Sequence, residues 1–237
     1  MESINLVHLF VDSRQASHSS GCFASDGIVQ IESGEMILLK DLQVGDRVLS
    51  INSDGATVFS DVIMFLDREL NQTREFVQIK TDGGAELRVT PAHLVPVWKP
   101  QQHETKYLYA DQVEENDFLL VNVNNNLEPQ RVTEVRAVLA RGFIAPLTSE
   151  GTVVVNSIAA SCYALVNSQS LAHISFMPFR TVKTLSNWFS SSEPPTQQLV
   201  RRTTNSQQNG IHWYAKALYT LKDYVLPGNY LYNSLRK

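Results

Sequence analysis

Gly21-Cys22 is the pair of neighbouring residues in this chain best suited to react with each other. A thiol attacks a carbonyl as thiolate, or when a neighbour removes its proton. Cys22 has such a carbonyl beside it, that of Gly21. Attack on that carbonyl would move the acyl group from nitrogen to sulfur and leave a thioester. The amide is normally favoured, so the shift needs a strained or polarised peptide, a proton donor for the departing amine and an acceptor for the acyl group. Gly21 suits this because it lacks Cβ and lets the chain bend. The one other cysteine is Cys162. Two cysteines make no disulfide framework; they can form a single bond, or one of them can be a nucleophile.

Thr90-Pro91-Ala92-His93 could supply the remaining parts. Thr90 can hydrogen-bond the scissile peptide and help to strain or polarise it. His93 can protonate the leaving amine near neutral pH. Alone, Thr-x-x-His is a weak motif, because a lone histidine is more often structural. Asp67, in Phe65-Leu66-Asp67-Arg68, reads as a surface carboxylate at a strand end. Asn71-Gln72-Thr73 is the single glycosylation match, and an acceptor only in the secretory pathway. No cofactor, metal or nucleic-acid partner is expected.

The elements that must hold these residues are short strands punctuated by turns. Arg47–Ile51 runs into Asn52-Ser53-Asp54-Gly55, and Phe76–Lys80 into Asp82-Gly83-Gly84. Glu86–Val89 and Gly151–Val155 follow suit, so the region from Cys22 reads as mainly β. A repeat lies within it. Asp41-Leu42-Gln43-Val44-Gly45-Asp46-Arg47-Val48-Leu49 recurs loosely as Asp111-Gln112-Val113-Glu114-Glu115-Asn116-Asp117-Phe118-Leu119. Thr81-Asp82-Gly83-Gly84 before a strand recurs as Thr148-Ser149-Glu150-Gly151. Two such copies fit two β lobes related by a pseudo-twofold axis. Asp46 and Arg47 read as structural.

After Cys162 the character changes. Phe179, Val182, Leu185 and Phe189 recur at helical spacing behind Pro178. Ile211, Tyr214, Leu218, Leu221 and Val225 do the same, ending at Pro227-Gly228. The polar stretch between them, Ser190 to Asn209, reads as a loop. Charge breaks in the same place: the balance is −10 through Asn167 and +6 from Ser168 onward, for −4 in all. A basic, aromatic tail is commonly a solvated face or core; a lipid or membrane surface is the sharper alternative. No apolar run reaches the 18 or so residues of a membrane span. Ile4–Val11 is a poor signal peptide, and a secreted protein would have its true N-terminus elsewhere.

Taken in order, Cys22-Phe23, Gly45-Asp46-Arg47-Val48-Leu49-Ser50, Thr81-Asp82-Gly83-Gly84-Ala85, Val89-Thr90-Pro91-Ala92-His93-Leu94-Val95, Ala145-Pro146-Leu147-Thr148 and Ala159-Ala160-Ser161-Cys162-Tyr163-Ala164 resemble the C-terminal autoprocessing domain of the Hedgehog family, its insect members most of all. Ser168-Gln169-Ser170-Leu171-Ala172-His173 and Asn209-Gly210-Ile211-His212-Trp213-Tyr214-Ala215 extend the resemblance, which covers about residues 21–227. It implies a Hint (intein-like) fold over 22–164, a linker remnant of an upstream signalling region over 1–21, and a small helical sterol-recognition region over 165–237. It also implies a two-step reaction. Cys22 attacks Gly21, assisted by Thr90 and His93. The 3β-hydroxyl of cholesterol, with Asp67 as general base, then displaces the thioester and leaves a cholesteryl ester on Gly21. Cys162 matches a cysteine that lies near the nucleophile in the family, with an implied role as acyl acceptor or as transient disulfide partner of Cys22. The implied partners are cholesterol, the attached upstream domain, which the first 21 residues do not contain, and a membrane met through the C-terminal region. The implied route is the secretory pathway through the endoplasmic reticulum, then secretion or membrane association.

Three rivals remain in view. A cysteine hydrolase would not need Gly before the thiol. A splicing intein typically ends in His-Asn before Cys, Ser or Thr, whereas this chain ends Ser234-Leu235-Arg236-Lys237. A decayed, lipid-binding β domain would have no reason to keep Cys22, Thr90, His93 and Asp67 together.

Overall fold

Turn-punctuated strands build a mainly β domain in the computed structural model, which describes residues 21–163. The linker before Gly21 and the helical sterol-recognition tail lie outside the described residues. The strands are β1 (Phe23–Ala24), β2 (Ile28–Gln30), β3 (Met36–Leu38), β4 (Arg47–Ile51), β5 (Thr57–Thr81), β6 (Glu86–Val89), β7 (Leu94–Lys99), β8 (Glu104–Tyr109), β9 (Phe118–Val123), β10 (Asn126–Thr148), β11 (Thr152–Val155) and β12 (Ile158–Ser161). The helical elements among the described residues are two 3₁₀ turns, Leu39–Asp41 and Ala110–Gln112. Arg47–Ile51 and Glu86–Val89 stand as strands with the bounds read from sequence, while Phe76–Lys80 is the end of the much longer β5.

Two long strands form the spine. β5 and β10 pair antiparallel along most of their lengths, and β1 inserts between β10 and β6. Phe23, Phe76, Phe143, Leu119, Ile144 and Leu147 are fully buried in one continuous core. Burial of each such side chain contributes on the order of 2 kcal/mol.

The repeat read in the sequence is a repeat of hydrogen bonds. In the first copy the Gln43 N–H donates to Asp46 Oδ2 at 2.9 Å; in the second the Glu114 N–H donates to Asp117 Oδ2 at 3.1 Å. Gly45 N–H donates to Val62 O at 2.8 Å, and Asn116 N–H donates to Val132 O at 2.9 Å. Gly45 and Asn116 both have positive φ, +96° and +73°. Glycine adopts that conformation without cost, and asparagine tolerates it better than most residues. Asp46 is thus the clasp of a turn. Arg47 bridges Glu32 and Asp61 on the surface.

A bulge interrupts the spine beside β1. Thr73 pairs with Arg141 and Glu69 with Phe143, so β5 advances four residues where β10 advances two. Gly142 lies at the break with φ +81°, and a Cβ there would stand 2.4 Å from Ser25 Oγ. Its carbonyl accepts the Ser25 N–H at 3.1 Å, which anchors the segment following Cys22. Asn71 sits exposed on this bulge, where its Oδ1 accepts from Arg141 Nη2 at 2.9 Å.

Candidate active site

Cys22 stands just before the inserted strand β1 and is fully buried. Its backbone is pinned twice by one residue. The Cys22 N–H donates to Thr90 Oγ1 at 3.0 Å, and the Thr90 N–H donates to Cys22 O at 2.9 Å. Thr90 can do both because it stands just past the end of β6, whose Val89 pairs with Phe23. The backbone pairing of the sheet therefore delivers the threonine hydroxyl to the nitrogen of the Gly21-Cys22 bond.

The next residues turn His93 back toward the same peptide. Thr90 to His93 form a tight turn closed by the His93 N–H on Thr90 O at 2.9 Å. Pro91 holds the φ that the second position of such a turn requires. The His93 ring is fully buried and meets Phe23 edge-on, with centroids 4.4 Å apart. Its Nε2 lies 2.8 Å from Ser161 O. A carbonyl only accepts, so Nε2 carries the hydrogen and Nδ1 of the neutral ring carries a lone pair. Among the described residues, Nδ1 finds no hydrogen-bond partner of good geometry. Burial pushes the imidazole down to about 4, against a smaller opposing pull from the carbonyls of Ser161 and Gly21. The ring is therefore neutral at pH 7 and lies against the Gly21 carbonyl.

Asp67 differs from its sequence reading. It lies inside β5, opposite Ala145, and is 2 % exposed. The cause is that β5 continues through the apolar segment Val62–Leu66 into the bulge instead of ending there. Asp67 Oδ2 lies 4.0 Å from Cys22 Sγ, a length at which the thiol makes a weak hydrogen bond. Arg68, beside it, serves the scaffold: Nη1 donates to Leu42 O at 2.9 Å and Nη2 to Lys40 O at 2.5 Å, tying β5 to the first 3₁₀ turn.

Arg74 was not singled out by sequence reasoning, yet it reaches both Cys22 and Asp67. Nη1 is 3.9 Å from Cys22 Sγ and Nη2 is 3.7 Å from Asp67 Oδ2. The only hint in the sequence is a cation close to an apolar β segment, and no spacing rule connects it to Asp67. Ser161 was likewise missed, because what it contributes is its carbonyl. Cys162 Sγ lies 3.6 Å from Thr148 Oγ1, and its N–H donates to Gly151 O at 2.9 Å. No disulfide joins Cys22 to Cys162. The structure thus gathers Gly21, Cys22, Thr90, His93 and Asp67 at one place and adds Arg74. Among the described residues, no group of three or more His, Cys, Asp or Glu side chains is arranged to hold a metal.

Comparison with known proteins places this geometry. Residues 11–227 match the Hint module family. The chain is 50% identical over 218 residues to protein hedgehog of Drosophila melanogaster, covering 91% of this chain and 46% of that protein. It is 49% identical over 222 residues to protein hedgehog of Drosophila pseudoobscura pseudoobscura, with 91% and 46% covered. The chain therefore spans about half the length of the curated relatives it matches. Among solved structures, a DnaB intein from Synechocystis superposes with TM-score 0.52 at 13% identity, covering 60% of this chain and 98% of the intein. A KlbA intein precursor from Methanococcus jannaschii gives 0.52 at 16%, covering 61% and 92%. These two show the fold alone.

Proposed function

Because the chain belongs to the Hint-module family, in the form carried by the Hedgehog proteins, we propose that it is a self-cleaving autoprocessing domain that cuts its own Gly21-Cys22 bond and passes the upstream acyl group to cholesterol. The observation that carries this reading is the double hold on that peptide: its nitrogen on Thr90 Oγ1 at 3.0 Å, its carbonyl beside a buried histidine.

The neutral state of His93 orders the first step. An imidazole that is unprotonated at pH 7 must accept a proton before it can give one. His93 takes the Cys22 thiol proton as Sγ bonds to the Gly21 carbonyl carbon and the π pair moves onto the oxygen. When that pair returns, the carbon–nitrogen bond breaks and His93 hands the proton to the nitrogen. One proton leaves sulfur and one reaches nitrogen, so the step balances. Thr90 Oγ1 accepts from a nitrogen that becomes an amine during the step. Its hydrogen bond strengthens as positive charge develops there, which favours the transition state over the ground state. Burial of Cys22 and His93 keeps water from the thioester.

In the second step the 3β-hydroxyl oxygen bonds to the thioester carbon, the Cys22 sulfur leaves as thiolate, and the hydroxyl proton goes to Asp67. A carboxylate 4.0 Å from Sγ lies where an alcohol attacking the thioester must arrive. Asp67 therefore serves the sterol and His93 the peptide. Residues 165–237 are assigned to sterol and membrane contact by the Hedgehog resemblance, with which the basic, aromatic composition agrees, and the same resemblance supports a secretory route. Cys162 remains assigned as a secondary acyl acceptor or redox partner.

The test is the intact mass of the fragment released from the full chain, with hydroxylamine, with cholesterol in detergent, and with neither. A hydroxamate at Gly21 in the first and a cholesteryl ester in the second are expected. A folded chain that stays whole in hydroxylamine overturns the thioester. Release by hydroxylamine with no sterol adduct overturns only the second step.

A further inference from the structure

Arg74 lies seven residues from Asp67 along β5. In an unbroken strand that offset is about 23 Å and faces the opposite side. The bulge at residues 69–73 removes both obstacles and folds the side chain back over the site. The guanidinium is fixed by three contacts: the Phe143 ring, whose centroid lies 3.5 Å from Cζ, Asp67 Oδ2 at 3.7 Å, and Cys22 Sγ at 3.9 Å. The side chain is 21% exposed and Asp67 only 3%. Its two terminal nitrogens address two different acceptors from fixed positions in one planar fork.

An ion pair with Asp67 alone would leave Nη1 with nothing to do at the sulfur. The two-step reaction gives it a use twice. In the first step sulfur is the nucleophile and gathers negative charge as its proton leaves. In the second step the same sulfur is the leaving group and gathers that charge again. Between the two, sulfur is acylated and neutral, and the guanidinium still holds the carboxylate that the alcohol needs. Resting on the acyl-shift reading above, we infer that Arg74 is a catalytic residue that bears the negative charge of the Cys22 sulfur on attack and again on departure. It exchanges no proton in either step.

Among the described residues, the Asp67 carboxylate from β5 faces this sulfur and the His93 imidazole from the turn before β7 faces the Gly21 carbonyl, and both stay in place in the variants. The experiment measures release of the upstream fragment from the full chain at saturating hydroxylamine, where the first step limits, across neutral to alkaline pH. Circular dichroism checks the fold of each variant. An opposite charge at this range moves a thiol by about one unit or more, so Arg74→Gln should slow release about tenfold at neutral pH and converge on wild type in alkali. Arg74→Lys restores the charge and should stay within about threefold of wild type throughout, since only the fork geometry is lost. A superimposable Arg74→Gln profile overturns the inference. So does equal slowing of both variants at every pH, which would mark a merely structural contact. Should Arg74→Gln fail to fold, Arg74→Lys decides: a near-wild-type profile supports the charge role, and a folded but slow protein at all pH values overturns it. Wild type that releases nothing sinks the acyl-shift reading itself, a result distinct from all of these.

Discussion

Cys22 and Cys162 are equally buried, at 0 % and 1 % exposure, and lie beside different groups. Around Cys22 stand a carboxylate at 4.0 Å and a guanidinium at 3.9 Å. Beside Cys162 stands the Thr148 hydroxyl, itself committed to Thr152 O at 2.8 Å and accepting the Gly151 N–H at 3.0 Å. Both cysteines are buried alike, so burial is not what would set one apart as a nucleophile. What separates them is whether the fold spends its charges near the sulfur. At Cys22 the charges come from two points on β5 brought together by a bulge. At Cys162 a tight turn closes over the thiol with neutral hydrogen bonds.

The contrast can be broken or sharpened by substitution. Cys22→Ala should abolish fragment release under every condition, read by intact mass; any residual cleavage at Gly21 would mean that another nucleophile serves. His93→Ala should follow with a fall of about 10²- to 10⁴-fold in release by hydroxylamine, the usual range for a positioned acid–base group. Asp67→Ala should lower cholesterol transfer by about 10²-fold while changing hydroxylamine release only a few-fold. Equal losses would move Asp67 into the first step. Cys162→Ser should have the smallest effect, about threefold or less on hydroxylamine release, because a hydroxyl keeps the bond to Thr148. A loss as deep as that of Cys22→Ala would place Cys162 in the acyl line and erase the contrast.

His93 also gives the domain a pH signature. Its folded value of about 4 lies below the ordinary 6.5. Above 6.5 neither state holds the proton. As pH falls toward 4 the unfolded chain binds a proton that the folded chain refuses, so stability declines, by about 3 kcal/mol at the end of the window. Urea midpoints followed across that window should fall less steeply in His93→Gln than in wild type.

The frame was readable in the sequence because it is built from local chemistry. Glycine or asparagine at a left-handed position, followed at once by a clasping aspartate, marks both copies of the repeat, Gly45-Asp46 and Asn116-Asp117. Thr90 and His93 were readable because one short turn carries them both. Asp67 was readable as a position by resemblance, but not as a buried group. Its burial depends on β5 running on to residue 81, and the apolar alternation gives no sign of that length. Arg74 was invisible for a firmer reason. Its partners are seven and fifty-two positions away, and the first of those offsets points to the wrong face of a regular strand. Only pairing with β10, where four residues oppose two, brings the arginine home.

The reciprocal bonds between Cys22 and Thr90 have a kinetic consequence. In the proposed acyl shift, the new amine does not drift away after the carbon–nitrogen bond breaks. It stays hydrogen-bonded at the head of β1, within reach of the thioester it has just left. A group held this way competes at an effective concentration far above that of a dilute solute. Resealing therefore outpaces attack by stray solutes. On that reading the precursor would idle, opening and mending the same bond, and would commit when an alcohol, or a concentrated nucleophile such as hydroxylamine, reaches the thioester before the amine recaptures it.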